Sequence, residues 1–463
     1  GAMEGLAAQD RTRRAAQARH AAADLAGRGV TAVALTWVDN SGLTRVKAVP
    51  LTRLEHAAAW GVGASPVFDT FLVDDSAVVG RFAGGPVGDL RLYPAVERLT
   101  ALAAHPHWAW APADRYDQTG TPHPQDSRGV LRREVTRLAA DGFSVRAAVE
   151  VEWCVSAGTG DEFVPASHGP AYGMTRLTEL SGYLVQVLDA LAAQGLAVDQ
   201  IHPEYAAGQY EVSVAAEDPV GAADTAVLVR ETIRAVSTGQ GLRASFAPKV
   251  LAGKVGNGGH VHLSLWRDGV NAMTGGDRRY GMTAAGESFA AGILTHLPAL
   301  LAVGAPSVAS YLRLVPSQWA GAFVCWGLEN REAALRFITG VVGDRPQAAN
   351  FEVKSFDAAA NPYLALAALI AAGRDGLGVA ATLPEPVDVD PASLDPADRA
   401  ARGIPPVPAS LAEALAAFES DKVLRDAFGE ELADTLAVIR RGEIDLFDGA
   451  DPDEITARTR WVY

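Results

Sequence analysis

The chain has 463 residues, of which 49% are hydrophobic and 21% are charged, and this balance is typical of a globular protein with sizeable cores. Its formal net charge of −15 argues against a nucleic-acid partner, because phosphate binding requires basic surfaces. Only two cysteines occur, Cys154 and Cys325, so we expect no disulfide scaffold and we expect a cytoplasmic location. No apolar run is long enough for a membrane span, and we expect no membrane partner.

The first part of the chain predicts a small α+β domain. A charged, alanine-rich segment at 8–27 predicts an amphipathic helix. Two runs of β-forming residues at 31–38 and 43–50 flank the turn sequence DNSG and predict a β-hairpin. The polar stretch at 111–129 is rich in turn formers and predicts a domain boundary. We therefore expect two domains, 4–120 and 121–463.

The second part alternates predicted strands with long helices. Helical patterns occur at 131–142, 176–195, 222–241, 284–304 and 361–376, and a further helical stretch covers 409–441. The strands between them carry polar residues on one face. A sheet with one polar face and one helix-packed face predicts a curved, mainly antiparallel sheet.

Short alternating polar pairs lie within otherwise apolar strands. In a strand, residues i and i+2 point to the same face, so each such pair places two ligand-type side chains side by side. The residues spaced in this way are Glu150 with Glu152, His260 with His262, and Glu352 with Lys354, and two further acids, Glu204 and Glu211, flank a glycine-containing bend. Several carboxylates in one apolar cavity require a neutralising cation. Oxygen ligands with one imidazole favour Mg²⁺ or Mn²⁺.

A nucleotide site is less evident from the residues. The chain has no Gly-rich phosphate loop of the kind that ends in Lys and Ser or Thr, so ATP would have to be held by metal ions and arginines. Arg313, Arg331 and Arg336 are candidates, since the guanidinium group suits phosphate and carboxylate oxygens. Each of them taken alone could equally be a surface arginine.

The ordered motifs AVEVEW, HPEYAAGQYE, FAPKV, GGHVHLSL, SYLRLVP, NREAALR, FEVKSFD and NPYLALAALIAAGRDG resemble those of the glutamine synthetase superfamily, in particular its divergent glutamate–amine ligase branch. The resemblance implies a β-grasp-like N-terminal domain and a catalytic domain built on a funnel-shaped sheet. It also implies a homo-oligomer, a double-ring dodecamer with active sites between subunits. ATP would be a co-substrate, with two or three Mg²⁺ or Mn²⁺ ions in each site.

The same resemblance assigns roles to individual residues. One metal ion would be held by Glu152, Glu204 and Glu211, and the other by Glu150, His260 and Glu352. The positions that match ATP-binding residues are Asp199, His262, Ser264 and Arg336. Those that match glutamate-binding residues are Gly256, Arg313, Arg331 and Lys354. Asp69, Arg331 and Glu204 match catalytic positions, and the amine would be bound by Asp69, Tyr172 and Trp319.

The implied reaction joins the γ-carboxylate of glutamate to an amine through a γ-glutamyl phosphate. Ammonia-using members have a glutamate in the flap where this chain has Trp319. An indole favours an alkylammonium over ammonium, and ethanolamine is the expected amine. A polyamine would favour additional acids at its far end, and the sequence shows no such gain. Ammonia and a polyamine remain alternatives, as does a non-catalytic regulator that binds nucleotide or glutamate.

Overall fold

A computed structural model describes residues 8–82, 84–254 and 256–463. The described chain has a mixed α+β architecture with two sheets, and the first sheet ends at Asp117, within the polar stretch at 111–129. This agrees with the fold class expected from the sequence. Residues 4–7 of the expected first domain lie outside the described part.

The N-terminal sheet is formed by residues 32–117. Its strands in the described chain are β1 (Ala32–Val38), β2 (Thr44–Pro50), β3 (Val62–Ala64), β4 (Leu90–Pro94), β5 (Thr100–Ala101) and β6 (Trp108–Asp117). The order is β2-β1-β6-β4-β3, and β5 pairs with β6. The predicted hairpin is confirmed, since β1 and β2 pair in antiparallel fashion.

The larger sheet carries the alternating polar pairs. Its described strands are β7 (Ser144–Ala157), β8 (Val198–Pro203), β9 (Gln209–Val214), β10 (Leu242–Ser245), β11 (Gly259–Arg267), β12 (Val270–Asn271), β13 (Phe323–Leu328), β14 (Ala333–Ile338) and β15 (Asn350–Val353). The order is β13-β14-β15-β11-β7-β9-β8, with β10 beside β7 and β12 beside β11. All described pairs are antiparallel except β13 with β14.

The first two helices of the described chain lie with the N-terminal sheet, and later helices cover the apolar face of the large sheet. In the described chain the helices are α1 (Ala8–Gly27), α2 (Leu54–Trp60), α3 (Ser127–Ala140), α4 (Met174–Glu179), α5 (Ser181–Ala193), α6 (Pro219–Gly239), α7 (Ala284–Thr295), α8 (Leu297–Gly304), α9 (Ser310–Arg313), α10 (Arg345–Ala348), α11 (Pro362–Gly378), α12 (Pro396–Ala401), α13 (Leu411–Ser420), α14 (Lys422–Phe428), α15 (Glu430–Leu446) and α16 (Pro452–Thr459). The side chain of Asn361 caps α11, and that of Asp218 caps α6. A proline follows each cap, where its fixed φ suits the first helical turn.

The core lies behind the polar face of the large sheet. Val151, Val261 and Val353 alternate with the polar residues and are buried. They pack against the helix layer, in which α11 contacts α3, α6, α7 and α8. The period of two in these strands therefore separates an apolar back from a polar front.

Several predicted helices are divided in the structure. The segment 284–304 forms two helices, α7 and α8, which are bent by 72° at His296. Pro298 lies in the first turn of α8, where its missing N–H cannot continue the preceding helix. The segment 176–195 is divided at Leu180, and the stretch 409–441 is divided at Asp421 and Gly429.

Over the described ranges, no single helix has the length and apolar character to cross a membrane; the bent pair α7 and α8 meets those criteria only jointly.

Candidate functional site

The polar pairs form one continuous row across the large sheet. The strand registers place Arg336 opposite Glu352, Glu352 opposite His262, His260 opposite Glu150, and Glu152 opposite Glu211. Directly opposed residues in an antiparallel pair share a face and lie close together. The geometry of the β-sheet therefore brings five of the six predicted metal ligands to one face. The sixth, Glu204, follows the end of β8.

The carboxylates and imidazoles of this row converge within a few ångströms. Nδ1 of His260 lies 3.1 Å from Oε1 of Glu150 and 3.2 Å from Oε1 of Glu352, and its Nε2 lies 3.9 Å from Oε1 of Glu152. Ligand atoms of Glu150, Glu211 and His260 lie within 4.8 Å of one another. We refer to Glu150, Glu152, Glu204, Glu211, His260 and Glu352 as the acidic cluster.

Burial and neighbouring charges shift the pKa values of several side chains in the acidic cluster. Burial raises the pKa of Glu211 to about 9 and that of Glu204 to about 7, and neighbouring carboxylates act in the same direction. Burial also opposes ionisation of Glu352, but the positive charge of Lys354, together with that of His262, outweighs it and lowers the pKa of Glu352 to about 2. Burial and Lys354 lower the pKa of His260, which favours the neutral imidazole that binds metal ions.

Two histidines extend the cluster. His202, on β8, was not among the predicted ligands; its Nε2 lies 2.8 Å from Oε2 of Glu211, and its Nδ1 lies 3.7 Å from Oε1 of Glu204. The alternation of His202 and Glu204 in HPE was the available signal. Nε2 of His262 is buried without a hydrogen-bond partner, and it lies 3.5 Å from Oε2 of Glu150. Ligand atoms of Glu150, His262 and Glu352 also form a compact group.

The residues of the cluster fit divalent metal ions. Five carboxylates and a neutral imidazole on one buried face provide hard oxygen donors with one nitrogen donor, which suits Mg²⁺ or Mn²⁺. The raised pKa values of Glu204 and Glu211 show that these carboxylates cannot all ionise together without added positive charge. The orphaned Nε2 of His262 leaves a donor or acceptor free for a further ligand such as phosphate.

Basic side chains form the wall next to the cluster. Arg313 is buried, and its guanidinium donates to the carbonyl of Lys354 at 3.0 Å and lies 3.2 Å from Nε2 of His260. Nζ of Lys354 lies 3.7 Å from Oε1 of Glu352. Arg336 donates to Oε2 of Glu352 at 3.0 Å. Gly256 lies against this wall, since a Cβ there would meet Cγ of Arg313 at 2.8 Å.

The predicted flap lies beside this wall. Trp319 has a φ of +52° and is 58% exposed, and its N–H donates to Oε1 of Glu332 at 2.8 Å. The guanidinium of Arg331 lies 6.0 Å from the centroid of the Trp319 ring. These residues line an open cavity of about 330 Å³, which we call the flap cavity. Its other lining residues are Leu328, Glu329, Asn330, Asp388, Val389 and Asp390.

Tyr172 is brought to the cluster. Its N–H donates to the carbonyl of Glu204 at 3.2 Å. Burial raises the pKa of its phenol to about 12, and the charge of Glu204 acts in the same direction. Ser264 lies on β11 one i, i+2 step beyond His262, and its hydroxyl accepts a hydrogen bond from the indole of Trp266 at 2.7 Å.

Two predicted residues lie apart from the cluster in the described chain. Asp199 is exposed beside an irregularity in the β8–β9 pairing, and no contact joins it to the cluster. Asp69 lies beside the N-terminal sheet, is 1% exposed, and accepts hydrogen bonds from Arg115 and His123, both at 2.7 Å. The single chain therefore does not bring Asp69 to the acidic cluster.

Comparison with known proteins shows that this chain is an ATP-dependent carbon–nitrogen ligase, and the carboxylates, imidazoles and arginines described above form its candidate active site. The chain belongs to the glutamine synthetase family, whose catalytic domain matches residues 124–457. It is 60% identical over 443 residues to the gamma-glutamylpolyamine synthetase GlnA3 of Streptomyces coelicolor, covering 95% of each chain. It is 31% identical over 428 residues to the glutamine synthetase of Halobacterium salinarum, covering 91% of each.

Solved structures show the same fold. A novel glutamine synthase homolog superposes with a TM-score of 0.83 at 34% identity, covering 94% of this chain and 99% of the other. A GmaS complex with ADP gives a TM-score of 0.81 at 26% identity, covering 93% and 96%. The chain is thus an enzyme that ligates glutamate to an amine in an ATP-dependent reaction. Ethanolamine, the amine expected from the sequence, finds no support in these relatives.

Proposed function

We propose that this enzyme joins the γ-carboxylate of glutamate to a primary amine of a polyamine, through a γ-glutamyl phosphate. The observation that carries the proposal is the 60% identity to a gamma-glutamylpolyamine synthetase over 95% of both chains. The identity to glutamine synthetases is about half as high, for example 32% to that of Methanocaldococcus jannaschii. Trp319 in the flap supports the same choice, because an indole suits an alkylammonium.

The acidic cluster is the proposed metal centre. Glu152, Glu204 and Glu211 would hold one ion, and Glu150, His260 and Glu352 would hold the other. When bound, Mg²⁺ or Mn²⁺ neutralises phosphate oxygens and stabilises the charge that develops during phosphoryl transfer. His202 lies against Glu204 and Glu211, and it would orient these two carboxylates.

The basic wall is the proposed binding site for the two anionic substrates. Arg313, Arg331 and Lys354 would hold the carboxylates of glutamate, and the absence of a side chain at Gly256 leaves Arg313 in place. Arg336 and the half-buried His262 would contact ATP, and we place Ser264 and Asp199 in the same site by family correspondence. Exclusion of water by the flap would protect the acyl phosphate from hydrolysis.

The amine would enter beside Trp319 and Tyr172. Glu204 is the proposed acceptor of the ammonium proton, since its carbonyl and carboxylate lie next to Tyr172. We propose that Asp69 serves the site of a neighbouring subunit, in a double-ring assembly with twelve subunits. Separate sheets before and after 120 support the division into domains 4–120 and 121–463.

A substrate panel tests the proposal. Phosphate release is measured with spermidine, putrescine, ethanolamine and ammonium at saturating ATP and glutamate, and mass spectrometry identifies the γ-glutamyl product. We expect the highest kcat/KM with a polyamine. A higher kcat/KM with ammonium or with ethanolamine would refute the choice of polyamine and leave the ligase chemistry intact.

A further inference from the structure

The flap cavity is acidic on the side that faces Trp319. Four of its lining residues are carboxylates, Glu329, Glu332, Asp388 and Asp390. They come from two segments far apart in the sequence, and the sequence around Trp319 alone gave no sign of them. From the sequence we noted no additional acids for the far end of a polyamine, whereas the structure brings carboxylates together here because residues 388–390 fold back against residues 329–332.

The cavity has a fixed frame. The side-chain amide of Asn330 donates to the carbonyls of Val387 at 2.9 Å and Val389 at 3.1 Å, which holds the two segments together. Glu332 is only 5% exposed and accepts backbone N–H groups from Trp319 at 2.8 Å and from Ser317 at 3.2 Å. One carboxylate thus positions the flap backbone and borders the cavity.

Arg331 also lines the cavity, but no ion pair joins it to Glu332 or Asp390 in the described chain. In the described ranges, Glu332 and Asp390 accept hydrogen bonds from backbone groups and from the Ser317 hydroxyl, and neither forms an ion pair. Burial raises the pKa of Glu332, and the charge of Asp390 acts in the same direction. A carboxylate that is nine-tenths buried without a cation is costly unless a ligand supplies the charge. Glu329 differs, because it pairs with Arg336.

The cavity adjoins the proposed reaction site. Arg331 lines it and approaches the Trp319 ring at 6.0 Å, and we have placed Arg331 among the glutamate ligands. Lys354, 3.7 Å from Glu352 in the acidic cluster, is close enough to Glu332 to lower its pKa against the effect of burial. An alkyl chain that starts at the γ-glutamyl phosphate would pass the indole and end among the carboxylates.

We propose that Glu332 and Asp390 bind the distal ammonium group of the polyamine, with the indole of Trp319 covering the methylene chain, so that this cavity sets the preference for diamines over monoamines. The inference rests on the proposed polyamine function and names the residues that carry it. The ligand class is an alkyl diammonium, whose distal charge would pair with the two carboxylates that have no ion-pair partner in the described chain. Asp388, which is exposed at the rim, would contribute at longer range.

Two amines that differ only in the distal charge test the inference. Putrescine and n-butylamine have the same four-carbon chain, and only putrescine has a second ammonium group. We expect wild-type kcat/KM to be higher for putrescine, and Glu332→Gln and Asp390→Asn each to lower that preference about tenfold or more, the size of a lost charged hydrogen bond. Asp395→Asn, which changes an exposed aspartate outside the cavity lining, is the matched control and should retain the preference.

The outcomes separate the two proposals. If the wild-type enzyme shows no preference for putrescine over n-butylamine and favours ammonium, the polyamine function itself fails. If the preference is present and survives in both Glu332→Gln and Asp390→Asn, only the assignment of this cavity is overturned. Should Glu332→Gln lose activity with both amines because the flap backbone shifts, Asp390→Asn decides, since its backbone contact to Ala392 can be kept by the amide oxygen.

Discussion

Arg115 and Asp69 form a buried ion pair, and we expect its disruption to destabilise the fold. Arg115 is 2% exposed, donates to Oδ1 of Asp69 and to the carbonyl of Gln125, both at 2.7 Å, and lies 3.6 Å from Asp126. Replacing it in Arg115→Met removes the main compensation for a carboxylate that is 1% exposed and leaves only His123. Breaking a buried pair in this way costs about 3–5 kcal/mol.

The loss should depend on pH in a defined direction. Burial disfavours the ionised Asp69, but Arg115 and His123 outweigh it and keep its pKa below the usual value. A carboxyl with a depressed folded-state pKa stabilises the fold above the unfolded pKa, about 4, and loses this contribution as the pH falls through the folded value. The difference between wild type and Arg115→Met should therefore be full at neutral pH and shrink in acid.

Urea unfolding at fixed protein concentration, followed by fluorescence and circular dichroism, measures the effect. The double variant Asp69→Asn/Arg115→Met should recover part of the loss, because residue 69 then carries no charge, whereas the buried Asp126 still loses its cation. A loss below about 1 kcal/mol in Arg115→Met, or a double variant less stable than the single one, would refute this account of the pair.

Three further predictions concern the site. Trp319→Glu should lower kcat/KM for polyamines by about 2- to 30-fold through loss of the cation–π contact and move activity toward ammonium, as phosphate release with both amines would show. Because burial raises the pKa of Glu211 to about 9, a metal ion that binds near pH 7 must displace the proton of Glu211, so the affinity for the metal ion should rise with pH up to about 9. Calorimetry in buffers of different ionisation enthalpy measures the released protons. A metal affinity that does not depend on pH would contradict this prediction. Gly256→Ala places a Cβ 2.2 Å from the carbonyl of Pro248 and 2.8 Å from Cγ of Arg313, so KM for glutamate should rise about tenfold while KM for ATP changes less; steady-state kinetics with each substrate varied would detect the opposite pattern.

The pairs of candidate metal ligands were predictable because the alternation of side chains along a strand is a local property. Once Glu150 and Glu152, or His260 and His262, lie in apolar strands, the period of two places each pair on one face. The register that sets His260 opposite Glu150 is long-range and was not predicted; the family resemblance supplied only the grouping of Glu150, His260 and Glu352.

The features of the fold and site that the sequence did not predict depend on contacts between distant segments or on the interruption of a helix at a single residue. The acids of the flap cavity come from two segments nearly sixty positions apart, which are held together by hydrogen bonds such as those from Asn330 to the backbone of residues 387 and 389. The division of 284–304 into α7 and α8 depends on Pro298 within a continuous apolar pattern. His202 acquires its role through its register partner Glu211 on β9, which sequence spacing does not reveal.

We propose that the six side chains of the acidic cluster hold divalent cations. Anomalous diffraction from crystals grown with Mn²⁺ and a non-hydrolysable ATP analogue tests it directly. We predict two or more anomalous peaks, one between Glu152, Glu204 and Glu211 and one between Glu150, His260 and Glu352. Peaks elsewhere on the molecule, or none on this face under conditions that support activity, would contradict the claim.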